Sequence, residues 1–167
     1  MLDNLKLYKV LTYILIPIAL FLGFIDTILL MVSLLNPANL LYVFILACFV
    51  IYTFVSFKFL RQGVQTEQIL KKSLKDWIKV NAIASIFLGS LFCLNGLSIL
   101  LSDNATLSKY IDEIITLQPG FPKEISAATI LNILKGISVA FLIIGTVGLL
   151  HIRITFRLLK KYGYLFE

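Results

Sequence analysis

A chain of 167 residues that is 59% hydrophobic, 14% charged and formally +6 at pH 7 lies outside the soluble balance, in which about a quarter of residues are charged. It is long enough for four bilayer crossings with short connections and leaves no room for a separate soluble domain. The excess bases flank apolar runs, where the positive-inside bias accounts for them, so a bilayer rather than a nucleic acid is the expected partner.

Lys6 and Lys9 precede the first apolar run. That run is too long for a cleaved leader, carries Asp26 and lacks a small-x-small site, so it is read as a retained span over 10–35. Pro17 is expected to bend it. Asn36-Pro37-Ala38-Asn39 is an uncharged turn of the kind a tight external hairpin uses. The second span follows over 40–60, with Tyr42 near its outer end.

Between the second and third spans, Lys58, Arg61, Lys71, Lys72, Lys75 and Lys79 face only Glu67 and Asp76. Such a segment resists translocation and places this connection in the cytoplasm. Thr66 is positioned to cap a helix beginning at Glu67. In that helix Ile69, Leu70, Leu74, Trp77 and Ile78 share one face. Lys71, Lys72, Lys75 and Lys79 lie towards the other, giving a basic amphipathic surface suited to anionic lipid headgroups or an acidic partner. The third span runs over 80–101.

The next segment, with Asp103, Asp112, Glu113 and Glu124 against Lys109 and Lys123, is external by this count. Leu107, Tyr110, Ile111, Ile114 and Gln118 keep helical spacing, widened by Ile115 and Leu117, as in a short helix lying flat on the outer face. Pro119-Gly120 and Pro122 then turn the chain back. The fourth span runs over 127–150, and Arg153, Arg157, Lys160 and Lys161 follow it. Twelve Lys and Arg thus fall inside, Lys109 and Lys123 outside, and Lys135 within the membrane. The expected fold is all-α: one four-helix transmembrane domain over 1–167, multi-pass in an inner or plasma membrane. Both termini are cytoplasmic, and short surface helices lie in the 2–3 and 3–4 connections. Basic ends after aromatic-rich stretches, Ser56 to Arg61 and Thr155 to Lys160, fit either selection on topology alone or a duplicated hairpin.

Catalytic arrangements are nearly absent from the sequence. His151 is the single histidine, and Cys48 and Cys93 lack zinc-ligand spacing and read as packing residues. No phosphate-cradling glycine loop, nucleophile elbow or metalloprotease signature occurs. No cofactor, metal or enzymatic activity is expected; only a cluster around His151 would raise that prospect. His151 itself reads as a structural residue, an interfacial imidazole near a helix terminus at the cytoplasmic end of span four.

Two charges stand apart. Asp26 lies ten residues before Asn36 and Lys135 ten after Ile125, so both are expected roughly 15 Å below the outer surface. A charge at that depth costs about 2.5–3.5 kcal/mol on insertion scales and seeks a partner. An Asp26–Lys135 pair with Asn95 and Asn132 nearby would serve either to register two helices or to line a hydrated pathway. Small residues, Ala82, Ser85, Gly89, Cys93 and Gly96 on span three and Ala128, Asn132, Gly136 and Ala140 on span four, mark close helix approaches within one protomer or between copies. Two functional readings remain. The leading one is a structural, accessory or regulatory membrane component acting through helix packing with a membrane-protein partner or a second copy. The alternative is a small channel, transporter or transporter subunit using the charge pair.

Overall fold

Asn36 sets the first turn: its side chain accepts from the Ala38 amide at 3.2 Å, capping a single 3-10 turn over Pro37–Asn39. On either side the chain is helical, since long apolar runs can satisfy their backbone groups in a bilayer only internally. The computed structural model describes residues 2–117 and 126–167, with side-chain environments from residue 5. Among the described residues are five α-helices and no strand: α1 (Leu2–Ser33), α2 (Leu40–Lys58), α3 (Lys72–Leu101), α4 (Asn104–Leu117) and α5 (Ala127–Lys161). The stretches Leu5–Ser33, Pro37–Val64, Lys72–Leu101 and Ala127–Lys161 are each long and apolar enough to cross a membrane. α1 continues through Pro17. The expected turn at Pro119-Gly120 and Pro122, like Gln118 and Ile125, lies outside the described residues.

Two corrections concern the basic connection. No helix begins at Glu67, and Thr66 caps nothing: its hydroxyl donates back to the Gln62 carbonyl at 2.7 Å. Instead α2 widens into a π-helical turn over Phe59–Val64. That turn closes with nested bonds from the Glu67 amide to Gly63 O and from the Gln68 amide to Gln62 O. Glu67 ends the turn in the left-handed region, with φ of 50°. Helical spacing alone could not register this, because the stretch that follows is held by distant partners. The Leu70 amide donates to Leu165 O at 2.7 Å, the Glu167 amide to Leu70 O at 3.1 Å and the Lys72 amide to Glu167 O at 2.8 Å. The C-terminus therefore straps the connection through one parallel bridge, Leu70 to Phe166. No separate surface helix forms there; the lysines from Lys72 onward belong to α3. Gly63 packs closely at the turn: a Cβ there would come 2.8 Å from Leu70 Cδ1 and 3.1 Å from the Phe59 ring, so those side chains would have to shift.

Left-handed backbone costs an L-residue about 1–2 kcal/mol and glycine almost nothing. Glu67→Gly is therefore expected to stabilise the protein by about 1 kcal/mol, read as a raised unfolding midpoint in micelles; unchanged or lowered stability would show that the turn carries no strain.

The chain divides into two compact units, Met1–Ser90 with Thr146–Glu167, and Leu91–Gly145. In the first, the core lies at the basic ends of the helices. Tyr8 and Leu11 of α1, Tyr52 of α2, Phe59 and Leu60 of the π turn, Ile78 of α3 and Ile152 and Leu158 of α5 form one buried cluster with Leu165 of the tail. Phe59 is fully buried and stacks on Phe166 at 5.6 Å. Ala19 of α1 is buried too, and so are Ala82 and Ser85 of the small-residue stripe on α3.

In the second unit Gly96 of α3 meets α5 at Ser138 and Leu142, and Phe92 stacks on Phe141 at 4.6 Å. Asp103 caps α4, accepting from the Thr106 hydroxyl at 2.6 Å and the Thr106 amide at 2.8 Å. Those bonds hold its carboxyl below the usual range. Leu107 and Ile111 of α4 are buried while Tyr110, Ile114 and Leu117 are exposed. The short helix expected in the 3–4 connection is thus present, with a narrower buried stripe. Ala128, Asn132, Gly136 and Ala140 all face outward on α5.

A buried histidine network at the basic end

Within the first unit, three helices each place two polar residues one turn apart on a single face: Tyr8 and Thr12 on α1, Tyr52 and Ser56 on α2, His151 and Thr155 on α5. All six are fully buried. His151 is therefore enclosed by protein, in keeping with the structural role expected of it. α5 runs on to Lys161 instead of ending near residue 150, which carries the ring into the core.

The bonds form one line. His151 Nε2 lies 2.9 Å from Thr12 Oγ1 and Nδ1 lies 2.7 Å from the Tyr52 hydroxyl. The Tyr52 hydroxyl is 2.9 Å from Thr155 Oγ1. The Thr12 hydroxyl has a single proton, donated to the Tyr8 carbonyl at 2.7 Å, so towards His151 it can only accept. For a neutral ring this assigns the proton to Nε2, leaving Nδ1 to accept from Tyr52. Thr155 then shares its proton between the Tyr52 oxygen and its own helix, at the His151 carbonyl 2.8 Å away.

Tyr8 closes the face of the ring. Its own ring stacks on the imidazole at 4.7 Å and 17°, and its hydroxyl donates to the Ser56 carbonyl at 3.3 Å. Tyr52 meets the imidazole edge-on at 5.6 Å. The Ser56 hydroxyl is the one buried oxygen beside this network without a partner among the described residues. With both nitrogens bonded and one face covered, the imidazole offers no free lone pair to a metal or substrate. What the arrangement does is clasp α1, α2 and α5 together.

Tyr8, Thr12, Tyr52 and Thr155 were missed by motif reasoning because none belongs to a catalytic pattern. A signal was nevertheless present: polar pairs at i, i+4 recur inside runs otherwise apolar. α3 carries another such pair, Asn81 and Ser85, both buried and both bonded back along the helix, to Trp77 O and Asn81 O.

The residues singled out earlier fall in both units. Asp26 is half-buried on α1 in the first unit, and its Oδ1 is buried without a hydrogen-bond partner among the described residues. Lys135 is half-buried in the second unit and donates to Asn104 Oδ1. Asn95 is exposed and donates to its own helix at Leu91 O, while Asn132 is exposed. Lys71, Lys72 and Lys79 are exposed. Lys75 lies over the Phe166 ring at 5.5 Å, turned towards the C-terminal strap. Cys48 is buried in the packing. Among the described residues no group of three His, Cys, Asp or Glu could hold a metal. No family model, curated protein or solved structure matches the chain.

Proposed function

We propose that the chain is a non-enzymatic, multi-pass component of an inner or plasma membrane, an accessory or structural subunit that acts by packing against another membrane protein or a second copy. Both termini lie in the cytoplasm, as the distribution of bases favours. The observation that carries this reading is the histidine clasp. The side chain best suited to chemistry has both nitrogens and one face committed to joining three helices. Outside that clasp the helices present large apolar side chains outward, Phe21, Phe24 and Met31 among them, as lipid or helix contact requires.

A second reading, transport, is favoured by one observation. The Asp26 oxygen buried on α1 without a partner among the described residues is the kind of group that marks an ion or proton route. One pair of measurements separates the two. The accessory reading expects the chain, extracted from its membrane in mild detergent, to migrate in a larger assembly with a stoichiometric second subunit or copy. It also expects proteoliposomes of the purified chain to leak protons and ions no faster than empty vesicles. A lone monomer overturns it, and so does flux that Asp26→Asn abolishes; that flux would establish the transport reading.

A further inference from the structure

The first unit holds a groove of about 640 Å³ between α2 and the start of α3. Its apolar lining includes Ile51 and Val55 of α2 and Leu74 of α3, with Trp77 at the rim. Its mouth carries Lys58, Gln62 and Lys71. A neighbouring depression of about 450 Å³ shares Lys58 and Gln62 and adds Arg61. Every charged side chain lining these two is cationic. Asp76 lines a third depression that meets the groove at Ser73 and Trp77, and Glu67 lies between Thr66 and Gln68 of the neighbouring one.

The polarity is graded along the helix. Between Ile51 and Lys58 α2 rises roughly 10 Å, so the groove passes from apolar depth to cationic mouth over the span of a headgroup and the first carbons of an acyl chain. Its volume falls within the roughly 300–1,000 Å³ of small-molecule sites. Trp77 is 55% exposed at the rim, where tryptophan favours the membrane–water boundary. A soluble anion would leave the apolar wall wet, and an uncharged lipid would leave the lysines without a counterion.

We propose that this groove binds one anionic phospholipid of the surrounding bilayer, its phosphate between Lys58 and Lys71 with Arg61 alongside, and an acyl chain along Ile51, Val55 and Trp77. Of the cations first read as a lipid surface, Lys71 alone lines the groove; Lys58 and Arg61 come from α2 and the π turn. The proposal requires a membrane-spanning chain but not the accessory reading, and its failure leaves that reading intact.

Trp77 is the single tryptophan of the chain and reports occupancy directly. The full-length protein is placed in phosphatidylcholine vesicles carrying a small, equal fraction of either acyl-brominated phosphatidylglycerol or acyl-brominated phosphatidylcholine, and bromine quenching of Trp77 is compared. The anionic lipid is expected to associate roughly fivefold more strongly or better, the effect of one or more interfacial cations. Lys58→Gln with Lys71→Gln should bring the ratio to about one. Lys58→Arg with Lys71→Arg should keep the preference, and so should Lys160→Gln with Lys161→Gln, which lie on α5 and do not line the groove. Matching Trp77 emission in plain phosphatidylcholine establishes that a variant has folded. Equal quenching by the two lipids overturns the proposal, as does no quenching by either, which would mean a protein segment fills the groove. An equal loss of preference in the α5 variant also overturns it, since the attraction would then be diffuse.

Discussion

His151→Ala is expected to destabilise the protein by about 3–5 kcal/mol, the range for truncating a large buried ring. Two contributions add. Truncation opens a cavity beneath the stacked Tyr8 ring, at a position fully closed to solvent. It also removes the group that bonds Thr12 and Tyr52, although neither is left wholly orphaned. Thr12 keeps its bond to the Tyr8 carbonyl and Tyr52 its contact with Thr155. Packing should therefore outweigh hydrogen bonding.

His151→Phe tests that ranking, because it preserves the ring and deletes both bonds; its expected loss is about 1–2 kcal/mol. Tyr52→Phe should cost a similar amount, since Nδ1 then has no donor. The double variant His151→Phe with Tyr52→Phe should cost less than the two losses together, by about 1 kcal/mol. Reversible unfolding in mixed micelles measures all four. A loss below about 1 kcal/mol for His151→Ala would show that the clasp contributes little to holding the helices.

Gly96→Leu is expected to cost about 2–3 kcal/mol, near the upper end for overpacking. A Cβ at Gly96 would stand 2.7 Å from the Ser138 carbonyl oxygen, 3.0 Å from Leu142 Cγ and 3.3 Å from the Leu142 amide nitrogen. Two of these are backbone atoms of α5, which cannot rotate aside, so the helices must separate and the Phe92–Phe141 stack with them. Gly136 is the control. A Cβ there meets nothing within 4 Å, and Gly136→Ala should stabilise by up to about 1 kcal/mol through helix propensity. Equal effects from Gly96→Ala and Gly136→Ala on the unfolding midpoint would overturn the close approach. A large loss at Gly136 would instead point to another helix packing on the outward stripe.

Much of the architecture was legible because it follows from short-range rules. Apolar runs of bilayer length mark the four long helices, the Asn36 turn separates the first two, and period-3.6 spacing locates α4. The small residues of α3, read as a stripe of close helix approach, are buried at Ala82, Ser85 and Gly96. The same rule did not distinguish α5, whose four small residues face outward, because spacing identifies a stripe without saying which neighbour covers it. The helix expected at Glu67 failed for a related reason. Its residues have helical periodicity, but Leu70 and Lys72 are bonded to Leu165 and Glu167, nearly a hundred positions away, and those bonds outweigh local preference.

By itself the sequence determined the composition of a membrane chain, its four long apolar helices, the concentration of bases on particular connections, and the scarcity of catalytic groups. Only the tertiary structure decided that the one histidine is enclosed by two tyrosines and two threonines from three helices, and that the C-terminus straps the basic connection. The physical reason is range. Hydrophobic length and helical period act over a few turns and are written in neighbouring residues, whereas a buried hydrogen bond is favourable only when a complementary partner arrives from elsewhere in the chain, and which partner arrives is set by how the helices pack.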